Sequence, residues 1–401
     1  MGWCSMSSLQ INLKHKDIVN LLNDGYTIEI DSGYLIVKDI PYVNLRKEVK
    51  EDGILICSLD QSGQDIIKPS CHTIYFCGEY PCDKNGKALD KIRNTDQRIN
   101  ISNYTTNFRF SSKPKGTGKY ENYYHKITTY ANIISSQAAA IKEDATAKRF
   151  RPISVKENDG VLNYYDTNSS RAGITNVSKK LENLRIGIIG LGGTGSYILD
   201  FVSKCLVKEI HLFDNDTFDT HNAFRAPSAP SIEILNQRPN KVDYFENIYS
   251  NMHKYIYKHN EFIDETNINK LYNLDFVFIS IDNGESKKVI IDNLLEKNIP
   301  FVDVGLGIST ASDKLDGIIR TTSFDGSRKD HINKTISFAN RNDEAYVSNI
   351  QISELNALNA VMAVFKWKKY FGVYNDELNE LHSVYQISGN MLDKRFHNDE
   401  A

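Results

Sequence analysis

Gly190, Gly192, Gly193 and Gly195, followed by Asp214 and Asp216, have the types and spacing to hold a nucleotide. Glycines let the backbone turn tightly and approach a phosphate, which the positive N-terminus of the next helix attracts. An acid at the end of the next strand accepts hydrogen bonds from ribose hydroxyls. Asn222, Arg225 and Lys241 come next, and then Asp282 and Asn283. An arginine forks onto phosphate oxygens, a lysine supplies a point charge, and a carboxylate joins the shell of a Mg²⁺ ion. Such a set suits ATP and Mg²⁺ better than a nicotinamide dinucleotide, for which the glycines and one ribose acid suffice.

These groups need elements to position them. Apolar runs at 185–190, 209–213, 275–280 and 300–304 alternate with helical stretches. This alternation predicts an α/β fold, a Rossmann-like and mostly parallel sheet with helices on both faces. Ligands of such sheets bind beyond the C-terminal strand ends, where Gly190, Asp214 and Asp282 all fall. Further strand character appears at 317–324, a polar loop at 324–345, and an apolar helix at 350–371 stopped by Gly372. Ahead of this lies a small α+β domain. It has helical spacing over 9–23, a hairpin turning at Asp31-Ser32-Gly33, strands at 54–59 and 72–78, an exposed polar loop from Asn103 to Tyr120, and a helix over 121–142. The boundaries read as an N-terminal domain over 1–145, a linker over 146–180, a nucleotide-binding domain over 181–372 and a tail over 373–401.

With the motifs in this order, the stretch from about 181 to 371 resembles the ThiF/MoeB-type adenylyltransferases, which share their fold with ubiquitin-activating enzymes. The resemblance implies ATP-dependent adenylation of the C-terminal carboxylate of a ubiquitin-like or sulfur-carrier-like protein ending in glycine. That would be the activating step of a bacterial ubiquitin-like conjugation pathway, with a conjugating enzyme as a further partner. It assigns Asp214 to the ribose, Asn222, Arg225 and Lys241 to the phosphates, and Asp282 to Mg²⁺; Asp216, Asn283 and the four glycines complete the nucleotide site. Family members form homodimers and add an arginine from the twin subunit, for which Arg171 in SSRAGI is the candidate. One departure stands out: a family arginine five residues past the metal-binding Asp is here Lys287, which keeps the charge but not a bidentate contact. The stretch SCHTIYFCGEYPCDKNGK resembles an uncharacterised domain found fused to bacterial ThiF-like proteins, which implies no activity. Two rival readings are an NAD-dependent oxidoreductase and a catalytically inactive nucleotide-binding adaptor. The first has no use for Lys241 and Asp282, and the second would not retain every polar position.

A formal net charge of -3 without a basic run excludes a charge-driven nucleic-acid binder. No stretch approaches the ~20 apolar residues of a membrane span. The start shows no charged-then-apolar signal pattern, and six cysteines then read as free thiols in the cytoplasm. Cys71 and Cys77 lie along an apparent strand, ~20 Å apart at 3.3 Å per residue, so no zinc site is expected there. No cysteine follows Cys205, so a ubiquitin-activating type of thioester cannot form in its usual place. The acyl-adenylate then passes to a partner, to Cys82 or another N-terminal cysteine, or to a hydroxyl such as those of the IST stretch at 308–310. Cys82, after Pro81 and before DKNGK, is expected on an exposed turn.

Overall fold

A computed structural model describes residues 15–62, 65–96, 98–114, 116–152, 160–338 and 350–395. The chain divides into two compact units, Met1–Gly160 with Tyr164–Gly173, and Val161–Asn163 with Ile174–Ala401. No described helix is long and apolar enough to cross a membrane.

The first unit packs helices on a six-stranded antiparallel sheet. Its elements are α1 (Lys16–Asn23), β1 (Thr27–Asp31), β2 (Tyr34–Val43), β3 (Val49–Ser58), β4 (Thr73–Cys77), β5 (Arg93–Thr95), β6 (Phe108–Ser111), α2 (Tyr123–Ala139) and α3 (Thr167–Arg171), with sheet order β1-β2-β3-β4-β6-β5. Ser32 and Gly33, at φ 50° and 78°, make the tight turn of the β1–β2 hairpin, with Asp31 facing Tyr34. The expected helix survives as α1; Leu9 and Ile11 lie outside the described residues. The Asn122 side chain caps α2 by accepting from the His125 N–H. Helix α2 then buries Tyr123, Ile127, Tyr130, Ala131, Ile134 and Ala138, a three-four spacing that turns one face to the core. The stretch from Asn103 to Tyr120 is not simply an exposed loop, because Phe110 of β6 is fully buried between β4 and β5. Its few apolar residues are diluted by polar neighbours, and sheet pairing decided the outcome.

The second unit is an eight-stranded sheet with helices packed against it. Its elements are β7 (Arg185–Ile189), α4 (Gly193–Val202), β8 (Glu209–Phe213), α5 (Thr220–Ala223), α6 (Lys241–Tyr249), β9 (Ile256–His259), β10 (Phe276–Ile279), α7 (Gly284–Glu296), β11 (Phe301–Ala311), β12 (Lys314–Phe324), α8 (Ser353–Tyr370), β13 (His382–Gln386) and β14 (Met391–Arg395). The order is β9-β8-β7-β10-β11-β12-β13-β14; pairings are parallel through β11 and antiparallel beyond it. Residues 382–395, within the stretch read as a tail, therefore continue the sheet, while their alternation is too short and polar to stand out in the sequence. Inward residues such as Ile186, Ile188, Leu212, Phe278 and Val302 pack with Trp367 of α8 in one core. Gly372, at φ 70°, ends the C-terminal turn after α8. His253 is fully buried just before β9: its Nε2 bonds the Val207 carbonyl at 2.9 Å, and its Nδ1 accepts from the Tyr255 N–H at 3.2 Å.

Candidate active site

Three strand ends and three helix starts meet in one cavity. Strand β7 ends at Gly190, whose φ of 87° and tight packing exclude a side chain: a Cβ there would lie 2.4 Å from the Ser280 carbonyl oxygen. At Gly195 a Cβ would lie 1.8 Å from the Gly190 carbonyl oxygen, and at Gly193 one would lie 2.0 Å from Asn356 Nδ2. The glycines thus let the first turn of α4 press against its own loop. Gly192, the residue before α4, supplies no side-chain cap, so the first-turn N–H groups remain available to a ligand.

Asp214 and Asp216 follow β8. Asp214 is 5% exposed, its Oδ2 accepting from the Leu191 N–H at 2.7 Å and its Oδ1 from the Asp216 N–H at 2.9 Å. Burial pushes its carboxyl above the usual carboxylate range, against the Lys241 ammonium and those two N–H groups. Asp214 therefore staples the glycine loop to β8, and part of its accepting capacity remains for a hydroxyl. Lys241, the first residue of α6, is 5% exposed; its Nζ lies 2.6 Å from Asp216 and 3.6 Å from Asp214.

Arg225 comes from the turn after α5. Asn222 Oδ1 accepts from the Asp219 N–H at 2.8 Å within a capping box, and the Arg225 N–H reaches the Asn222 carbonyl at 3.1 Å. The Arg225 carbonyl in turn accepts from Asn356 Nδ2 at 3.2 Å. Asn222 is 3% exposed and shapes this turn rather than lining the cavity. Asp282 and Asn283 follow β10. Asp282 is exposed, and Asn283 caps α7 by accepting from the Ser286 N–H at 2.9 Å.

Gly190, Gly192, Asp214, Asp216, Arg225, Lys241, Asp282 and Asn283 line a single cavity of about 570 Å³. Gly193 and Gly195 stand behind its wall. Arg171, exposed at the end of α3, belongs to the first unit and does not line the cavity.

The cavity also holds Lys287, the lysine that replaces a family arginine, and beside it Arg320, Asp303 and Asn359, which the motifs did not mark. Lys287 and Arg320 line its far wall and share the fully buried Asp303, at 3.2 Å to Oδ1 and 2.7 Å to Oδ2. Asn359 of α8, also fully buried, donates to the Gly305 carbonyl at 3.4 Å. A signal existed: Asp303 in FVDVG and Arg320 in GIIRTT are charges inside apolar strands, which fold only if paired.

Cys82 is not on an exposed turn. It is fully buried, bridged to Val43 and Ala88, with its N–H on the Val43 carbonyl at 2.7 Å, and burial pushes its thiol up. Pro81 and DKNGK do mark a turn, but Val43, Ala138 and Ala145 enclose the cysteine. An acyl acceptor needs an accessible thiolate, which Cys82 does not offer.

Residues 165–313 match the ThiF family, and residues 16–167 match a domain of unknown function, DUF6791. No curated protein matches the sequence. Similar solved structures include E. coli MccB with succinimide, at 17% identity and TM-score 0.44 over 55% of this chain and 66% of that one. E. coli MccB with ATP gives 17%, 0.43, 55% and 65% in the same order. A selenomethionine structure of PaaA gives 14%, 0.45, 55% and 75%. This chain thus spans just under two thirds of these MccB chains.

Proposed function

We propose that this chain, which carries a ThiF family domain over residues 165–313, adenylates the C-terminal carboxylate of a small protein. The reading rests above all on four cations, Arg225, Lys241, Lys287 and Arg320, gathered around a glycine-lined helix start in one cavity. A site for a triphosphate and a carboxylate needs that much positive charge; a nicotinamide site does not. The substrate is a ubiquitin-like or sulfur-carrier-like protein ending in glycine, in a bacterial conjugation pathway.

In this reading a substrate carboxylate oxygen attacks the α-phosphorus of ATP, and pyrophosphate leaves. The enzyme contributes alignment and charge neutralisation. Asp214 accepts from the ribose, the first turn of α4 takes phosphate oxygens, and Arg225 and Lys241 hold the rest of the triphosphate. Asp282, a single carboxylate on the cavity wall, fits Mg²⁺, which keeps waters and would take that one protein oxygen with phosphate oxygens. When bound, Mg²⁺ offsets charge building on the departing pyrophosphate.

The active form is a homodimer in which Arg171 of the twin chain completes the site. Helix α8 supports this, since it turns Ala360, Ala363 and Trp367 inward yet leaves Phe365 48% exposed. Light scattering should give twice the chain mass at micromolar concentration, and a monomer would rule the dimer out. With a glycine-ended partner, the full chain should exchange pyrophosphate into ATP only when Mg²⁺ is present. Asp282→Ala should abolish exchange while circular dichroism stays unchanged. Tight NADH binding without ATP binding would overturn the reading.

A further inference from the structure

We propose that Cys71, in the first unit, is a nucleophile that accepts an acyl group from an acyl-adenylate, in a site built by Thr73, Arg109 and Lys126. Cys71 lies two residues before β4 and is partly exposed. Thr73 faces Ser111 across the β4–β6 ladder, and Arg109 lies two residues away on β6. Arg109 donates to Thr73 Oγ1 twice, from Nε at 3.1 Å and from a terminal nitrogen at 2.9 Å. Both accepting positions of that hydroxyl are thereby filled, so its own proton points to Cys71 Sγ at 3.0 Å. The Thr73 N–H also donates to Sγ, at 3.4 Å. Two donors on one sulfur, one of them backed by a guanidinium, favour the thiolate over the thiol.

The charges around this sulfur lack acidic partners. Lys126 of α2 is 1% exposed, and its Nζ donates to the Cys71 carbonyl at 2.9 Å. Among the described residues neither Lys126 nor Arg109 forms an ion pair with a carboxylate. A buried ammonium without a counter-charge is costly, and an anion at Cys71 relieves it. His72 reports the same field: burial, then Lys113, Lys126 and Arg109, all push its pKa down. Asp60 feels Lys126 only at longer range.

The other described thiols of this unit differ. Burial pushes Cys57 and Cys77 up to about 11 and also raises Cys82. At Cys71 burial likewise pushes up, but the Thr73 hydroxyl and N–H, Lys126 and Arg109 outweigh it and leave the thiol below its ordinary value. Of these four cysteines, Cys71 alone combines access with thiolate character.

As a thiolate, Cys71 needs no base. The sulfur attacks the acyl carbon and a C–S bond forms. The C–O bond to the AMP phosphate breaks, AMP leaves with the electron pair, and a thioester remains. The donor in this step rests on the adenylation reading; the thiolate does not.

The test uses the full chain. Iodoacetamide alkylation followed by mass spectrometry of each cysteine should show Cys71 reacting about 10-fold faster than Cys77 at pH 7, with a midpoint below the ~8.5 of a free thiol. Thr73→Val and Arg109→Gln should each raise that midpoint, with circular dichroism unchanged. Equal rates at Cys71 and Cys77, or a midpoint at 8.5 or above, would overturn the proposal. Acetyl-adenylate should then leave a hydroxylamine-labile acetyl group on Cys71 that is lost in Cys71→Ala. Fast alkylation without acetylation would remove the acyl-acceptor role. Acetylation in a chain that never exchanges pyrophosphate would uphold the Cys71 site and sink the adenylation reading instead.

Discussion

The Lys241 ammonium lies 2.6 Å from the Asp216 carboxylate, and both line the same cavity. The lysine is 7% exposed at its side chain and the aspartate 56%, so the pair joins a buried cation to a solvated anion. If Lys241 takes phosphate as proposed, a triphosphate must compete with Asp216 for it.

Lys241→Ala should weaken ATP binding by about 10- to 100-fold, the scale of a lost hydrogen bond between charged groups. Asp216→Asn should tighten it by a few-fold, because a rival anion is gone. Calorimetric titration of ATP into each variant measures both. Weaker binding in Asp216→Asn would mean that Asp216 itself holds the nucleotide.

Asp303 stands fully buried between Lys287 and Arg320. Asp303→Ala would leave two cations without their shared acid and should cost about 3–5 kcal/mol. Lys287→Met leaves the Asp303–Arg320 pair in place and should cost less. Urea unfolding midpoints of the two variants give the comparison.

Gly195→Ala puts a methyl group 1.8 Å from the Gly190 carbonyl oxygen, and backbone cannot swing aside as a long side chain can. Overpacking of this kind costs about 1–3 kcal/mol, and here it would also pull α4 off the glycine loop proposed to take phosphate. Both melting temperature and ATP affinity should fall together. Loss of one without the other would separate the packing role from the binding role.

Burial holds the His253 pKa below its ordinary value, against its bond to the Val207 carbonyl. The unfolded chain therefore takes up a proton near pH 6.5 that the folded chain refuses. Stability should be constant above that pH and fall below it, by up to ~1.4 kcal/mol per pH unit for each such histidine. His211 and His259 are shifted the same way, burial being the first cause in both. His253→Phe should reduce the slope between pH 6.5 and 5 in urea titrations; an unchanged slope would assign it to His211, His259 and His72, whose pKa is also lowered.

Much of the second unit was legible because its strands are short apolar runs and its glycines mark a turn. Gly190, Asp214 and Asp282 could be placed at strand ends from the chain alone, and they line one cavity. Less legible were residues whose meaning depends on a distant partner. Arg320 and Asp303 meet only through pairing of β11 with β12, and Asn359 reaches Gly305 only because α8 packs on that hairpin. Strand β9 was missed because IYKH shows no alternation, yet it pairs along β8 from Ile256 to His259. Cys82 misled because Pro and Gly report a bend and say nothing of what encloses it.

Strand β11 leaves β10 at Asp303 but stays paired with β12 out to Ala311. Past Asp303 its second edge has no strand neighbour among the described residues. Mechanically the hairpin is a cantilever whose support ends where β13 leaves β12, at Ile318 opposite Gly307. In an antiparallel pair alternate amides point away from the partner, so about half of the amides of β11 beyond Asp303 sit outside any ladder. Deuterium should therefore enter this strand in a fast-slow rhythm that begins just beyond Asp303. A load on the free end would bend it about Gly307 and Ile318, which both line the cavity.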